Sequence, residues 1–79
     1  IGKAEAIAIV DVMNHVKPKR PLTHDLCKAV ITGLGGSVRR VVISHVLDGT
    51  YFAALHLDAP QGRVEVDARP SDGIAVALR

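Results

Sequence analysis

The sequence predicts an α+β domain: a three-stranded antiparallel meander packed with three helices, part of a larger sheet in the full domain. Three observations predict it. Apolar residues recur at helical spacing over 3–16 and again over 24–34. Val- and Ile-rich or alternating segments follow at 38–47, 50–58 and 63–68, separated by Asp48-Gly49 and Pro60-Gln61-Gly62. Pro70 and Ser71 then open a third apolar helix over 70–79.

In the first helix, Ala6, Ala8, Ile9, Val10, Val12, Met13 and Val16 form the apolar arc. Glu5 breaks the pattern by projecting from that arc. With Gly2 as cap, Glu5 is the third helical residue, where an acid suits the dipole. A partner such as Arg69 or Arg20 would make it a buried ion pair. Lys17-Pro18-Lys19-Arg20-Pro21 ends the helix, because proline cannot continue the backbone ladder. Thr23 is the expected cap of the second helix, with Asp25 in its first turn. Leu26, Val30 and Leu34 are its expected buried stripe, Cys27 is expected in the core, and Gly35-Gly36 supplies the stop.

The turns set a register. A two-residue turn at 48–49 places Leu47 opposite Thr50 and Val42 opposite Leu55; a turn at 59–62 places Leu55 opposite Val66. One face then carries Val42, Val46, Tyr51, Ala53, Leu55, Leu57, Val64, Val66 and Ala68. The other carries Arg39, His45, His56, Asp58, Arg63, Glu65 and Asp67, with Val41, Ile43, Phe52 and Ala54 among them.

Composition bounds the function. The 79 residues make one domain, 48% of them hydrophobic with mean hydropathy +0.25, which excludes disorder. No apolar run approaches the roughly 20 residues of a membrane helix, so no membrane partner is expected. Cys27 stands alone, so neither an internal disulfide nor a four-cysteine zinc site can form. A net charge of +2 permits nucleic acid as a partner without demanding it. The chain begins without Met and ends at Arg79 inside an apolar pattern, as a piece of a longer domain would.

No P-loop, GxSxG or HExxH motif is present. The chemistry-bearing residues form loose groups. His24-Asp25 follows the basic loop, and His24 is a candidate acid or base. Asp67-Ala68-Arg69-Pro70-Ser71-Asp72 places two carboxylates and an arginine at a strand-to-helix junction. They suit a divalent metal and a phosphate, or else capping by Ser71 or Asp72 and ion pairing by Arg69. His45, His56, Glu65 and Asp67 are metal-ligand types on one strand face, as is common on a solvated face. Lys17, Lys19, Arg20, Arg39, Arg40, Arg63, Arg69 and Arg79 could contact phosphates, with few aromatics for base stacking.

Four stretches together resemble the bifunctional nuclease domain of bacteria and plants. They are Ile1-Gly2-Lys3-Ala4-Glu5-Ala6, Arg20-Pro21-Leu22-Thr23-His24-Asp25-Leu26, the Leu34-Gly35 helix stop, and Val66-Asp67-Ala68-Arg69-Pro70-Ser71-Asp72. Gly73 stands where the family commonly has Ala. The family pattern has more sequence before Ile1 and another short strand after Arg79. The resemblance implies a nuclease acting on RNA and DNA in a self-associating α+β domain, cytoplasmic in a bacterium or nuclear in a plant. It carries no catalytic residue set. The expectation for hydrolysis is that Asp67 and Asp72 hold a divalent metal, Mg or Mn, and His24 acts as base or acid. Lys19, Arg20 and Arg69 would bind the phosphates. The rival expectation is a non-catalytic oligomeric scaffold or nucleic-acid-binding domain whose polar motifs are caps and ion pairs.

Overall fold

The computed structural model describes residues 2–46 and 48–79. In chain order the elements are α1 (Lys3–Met13), α2 (Thr23–Gly33), β1 (Ser37–His45), β2 (Tyr51–Ala59), β3 (Gly62–Ala68) and α3 (Pro70–Ala77). The strands form one antiparallel sheet in the order β1-β2-β3. The expected α+β meander is therefore present.

Helix α3 is the hub. It lies on β1 and β2 and contacts both α1 and α2. Pro70 at its first turn suits the fixed φ of proline, and Arg69, not Ser71 or Asp72, occupies the cap position. Gly73, Ala75 and Val76 are its buried residues. Their small size lets the helix sit low: a Cβ on Gly73 would lie 2.8 Å from Val41 Cγ2. The core is correspondingly slight, centred on Ala8, Ala53, Leu55, Ala75 and Val76.

Helix α1 stops at Met13, three residues before the expected end. The basic Pro-containing loop is not what stops it. Asn14 is the C-cap and His15 takes a left-handed conformation at φ 57°. His15 N–H then donates to Val12 O at 3.1 Å and Val16 N–H to Asp11 O at 2.8 Å. This is a Schellman closure built without glycine. The end of α2 repeats it with Gly35 at φ 83°. Of the expected α1 arc, only Ala8 is fully buried, and it shares the packed side with Glu5. Val10, Met13 and Val16 are exposed.

Two further expectations for α2 are corrected. Its cap is Leu22, not Thr23, and the Leu22 N–H is met by the Asp25 carboxylate at 2.9 Å. Its stripe of Leu26, Val30 and Leu34 is exposed, Leu34 by 76%, and so is Cys27. The reason is tertiary. Only the first turn of α2 is buried, at His24, and Leu26 and Val30 beyond it line an open cleft.

The β2–β3 register is as expected, with Leu55 opposite Val66 and Leu57 opposite Val64. The β1–β2 register differs by one residue. Val41 pairs with Leu55 and Ile43 with Ala53, so Val41 and Ile43 face α3 while Val42 faces away. The turn has three residues, not two. Gly49 N–H closes it on Val46 O with Gly49 at φ 78°, and Val46 N–H pairs with Thr50 O. The expected Leu47–Thr50 pairing lies outside the described residues. A β-bulge between Val38 and Arg40 then returns Val38 to the α3 face, opposite Leu57. His45 pairs with Tyr51 and stacks on it, with ring centroids 4.9 Å apart. It therefore lies on the opposite face from His56, and the expected His45–His56 grouping does not form.

His15→Gly relieves the left-handed strain at an exposed position. It is expected to raise stability by about 1 kcal/mol, read as a shift in the urea unfolding midpoint with unchanged slope.

Candidate functional site

The first turns of three helices and the end of β3 converge on one relay. His24 Nε2 meets Asp72 Oδ1 at 2.9 Å, and Arg69 Nε donates to Asp72 Oδ2 at 2.9 Å. Arg69 Nη2 donates to Glu5 Oε1. Each residue is placed by local structure. Asp72 is the third residue of α3, so its carboxylate projects from the helix start. Glu5 holds the same position in α1, folded back over Gly2, where its carboxylate occupies the space a Cβ would need. His24 is held in the first turn of α2. Arg69 is the hinge between β3 and α3.

The burial is graded along the relay. Glu5 and His24 are each 7% exposed, whereas the Arg69 side chain is 67% exposed. Glu5 is thus a buried carboxylate with an arginine partner, the ion pair anticipated from its place on the apolar arc. The hydrogen bond from His24 holds the Asp72 carboxyl below the usual aspartate range, against burial, with Arg69 adding to the effect. Asp72 in turn holds the Arg69 guanidinium more firmly charged, with Glu5 contributing.

The relay stands at the edge of a cleft of about 760 Å³ between α2 and the sheet. Leu26, Val30, Leu57 and Val66 make its walls apolar, while His24, Arg69 and Asp72 supply its polar rim. Three of the six anticipated site residues, His24, Arg69 and Asp72, are therefore brought together. Lys19 instead lines a separate hollow of about 480 Å³ beneath the α1–α2 loop, with His15 and Lys17. Arg20 is exposed on the same loop.

Among the described residues, no group of three or more His, Cys, Asp or Glu side chains comes together to hold a metal. Both oxygens of Asp72 already carry hydrogen bonds. Asp67 borders the cleft where β3 ends, but it pairs with Ala54 on the sheet face opposite Val66, and it has no ion pair among the described residues. This donor set is not a closed protein cage. The expected Asp67–Asp72 metal pair is not brought together.

Arg79, expected among the phosphate contacts, is instead a buried structural tie. Its side chain is 8% exposed, and its Nε donates to Asp25 Oδ1 at 2.7 Å. Its other nitrogens reach Ala75 O and Ala8 O, so one guanidinium ties α1, α2 and α3 together. Asp25 is held below its usual range chiefly by the Leu22 N–H, and further by Arg79. Partners 54 residues apart leave no local signal.

Fold and cleft together define a small α+β domain that presents an acid–base pair and an arginine at the rim of an apolar cavity. The chain belongs to the bifunctional nuclease domain family, whose model matches residues 1–79. It is 46% identical over 79 residues to uncharacterized proteins of two Mycobacterium tuberculosis strains, CDC 1551 / Oshkosh and H37Rv. The match covers 100% of this chain and 46% of each relative. It is 30% identical over 77 residues to Bifunctional nuclease 2 of Arabidopsis thaliana, covering 94% of this chain and 23% of that protein. The chain spans less than half the length of each of these relatives. Among the described residues, no helix is long and apolar enough to cross a membrane.

The lowered Asp72 value has a definite sign. Its ionised form favours folding above about pH 4, the ordinary aspartate range, and that contribution fades as pH falls through the lowered value. The stability gap between the parent and Asp72→Asn is expected to be widest above pH 5 and to narrow steadily towards pH 2. Urea midpoints measured across that range check it.

Proposed function

We propose that this domain hydrolyses phosphodiester bonds of RNA and DNA at the rim of the α2–sheet cleft. The observation that carries the reading is the His24–Asp72–Arg69 relay, standing at an open cavity in a chain that belongs to a nuclease family.

The chemistry follows from the hydrogen bonds. A nucleophile common to RNA and DNA is water, because DNA lacks the 2′-hydroxyl. His24 donates its Nε2 proton to Asp72, which leaves Nδ1 as the nitrogen that takes a proton from the attacking water. Asp72 fixes that tautomer and stabilises the imidazolium as it forms. The water oxygen bonds to phosphorus, the ester P–O bond breaks, and the leaving oxygen takes up a proton. Arg69 uses Nε and Nη2 within the relay and keeps Nη1 for a non-bridging phosphate oxygen. Lys19 and Arg20 would meet the neighbouring phosphates of the strand.

The test is cleavage of single-stranded RNA and single-stranded DNA by the full-length protein, with and without a chelator. His24→Ala and Asp72→Asn are expected to lower the rate by about 10²–10⁴-fold with the fold intact by circular dichroism. An unchanged rate in a folded His24→Ala variant overturns the assignment of the base. No cleavage of either polymer leaves the relay a purely structural ion network in a scaffold.

A further inference from the structure

We propose that Arg39, Arg40 and Arg63 form a second, independent site, on the helix-free face of the sheet, that binds a phosphate-type oxyanion. Three features of this face lead there. The first is the β-bulge in β1. In a regular strand two consecutive side chains point to opposite faces. Here the bulge sets both Arg39 and Arg40 against one partner, His56, so the two arginines share a face. Arg63, near the start of β3, completes the group from the other side of β2.

The second feature is a cavity. Arg39, Arg40, His56, Arg63 and Glu65 line a hollow of about 160 Å³. That is the space of roughly five waters at about 30 Å³ each, which suits one tetrahedral oxyanion with part of its hydration shell. The hollow opens on the sheet face opposite α3, away from the His24–Asp72 cleft.

The third feature is the donor balance. Asp58 serves two guanidiniums, at 3.6 Å from Arg39 and 3.7 Å from Arg63, both beyond hydrogen-bond length. Among the described residues Arg40 has no ion pair, and Glu65 is directed to His56 at 4.0 Å. Three permanent cations thus face two carboxylates. Their fork-shaped donors lack a close acceptor, and convergence of like charges is unfavourable until an anion enters. A phosphoryl group supplies several acceptor oxygens in the geometry that guanidinium recognises.

That chemistry is shared by a free phosphate and by the backbone of a nucleic acid, and the two sources separate experimentally. In the full-length protein, inorganic phosphate and a single-stranded deoxythymidine oligomer are titrated by calorimetry into the parent, Arg40→Gln and Lys3→Gln. Lys3 is exposed on α1, so its variant carries the same loss of charge elsewhere. Arg40→Gln is expected to weaken binding at least tenfold and Lys3→Gln less than twofold. Loss confined to inorganic phosphate identifies a free-phosphate site. Loss for the oligomer, with the slope of log K against log salt reduced by roughly one, identifies a backbone contact. Equal weakening by both variants, or no saturable binding of either probe, overturns the proposal. Binding is read without cleavage, so the result is independent of the His24 chemistry.

Discussion

The Glu5–Arg69–Asp72–His24 relay is the constraint on which the rest of the structure depends. The apolar core is thin, with alanines at three of its five buried positions. Such a core cannot by itself orient three short helices, since an alanine buries little area and fills no distinctive shape. The relay does that orienting. Arg69 sits where β3 becomes α3, and it is bonded at once to the first turn of α1 and the first turn of α3. Through Asp72 the first turn of α2 joins them. Three helix starts are thereby brought to one point, and the cleft rim is the place where they meet.

The same geometry explains why structure and chemistry are hard to separate here. Glu5 is buried and would be an uncompensated charge without Arg69, so the pair is required for the α1–α3 packing whatever else it does. Asp72 satisfies Arg69 and orients His24 with its two oxygens. A group held this tightly is pre-organised, which is what an orienting carboxylate needs. Arg79 performs a purely structural counterpart, tying the first turn of α2 to α1 and to the last turns of α3. Its guanidinium is consumed by Asp25 and two backbone carbonyls and has little surface with which to meet a ligand. Arg69, by contrast, is mostly exposed.

What was legible in the sequence was the local part. The helices, the strands, the Pro60-Gln61-Gly62 turn and the capping position of Gly2 follow from propensity and period, and the structure contains them. Glu5 on an apolar arc was a true signal, because a charge in that place needs a partner, and Arg69 was among the residues that could serve. What was not legible depended on single-residue geometry. Asp48-Gly49 reads as a two-residue turn, but Gly49 takes the left-handed position that ends a three-residue one. That one residue exchanged the faces of Val41 and Val42, and the bulge then shifted the pairing by a further residue, which put Val38 back on the α3 face. The exposure of Leu26, Val30 and Leu34 was also beyond reach, since periodicity shows which side of a helix is apolar but not what covers it. The site residues were named individually. Only the tertiary fold separates Lys19, on its own hollow, and Asp67, on the far sheet face, from the three joined at the cleft.

Gly73 shows how these levels connect. Read from the sequence alone, it is a departure from the small side chain usual in this family and a weakness of up to about 1 kcal/mol in the helix start. In the structure it is where α3 rests on Val41 of β1, and a Cβ there would press on the Val41 side chain. The shift of register that put Val41 on this face therefore also set the height of α3 above the sheet. Asp72, the next residue back along the helix, inherits that position. A larger residue at 73 would lift the start of α3, and the carboxylate that reaches His24 and Arg69 would move with it. The depth of one helix–strand contact thus governs the geometry of the whole relay, and with it the only acid–base pair on the cleft rim among the described residues.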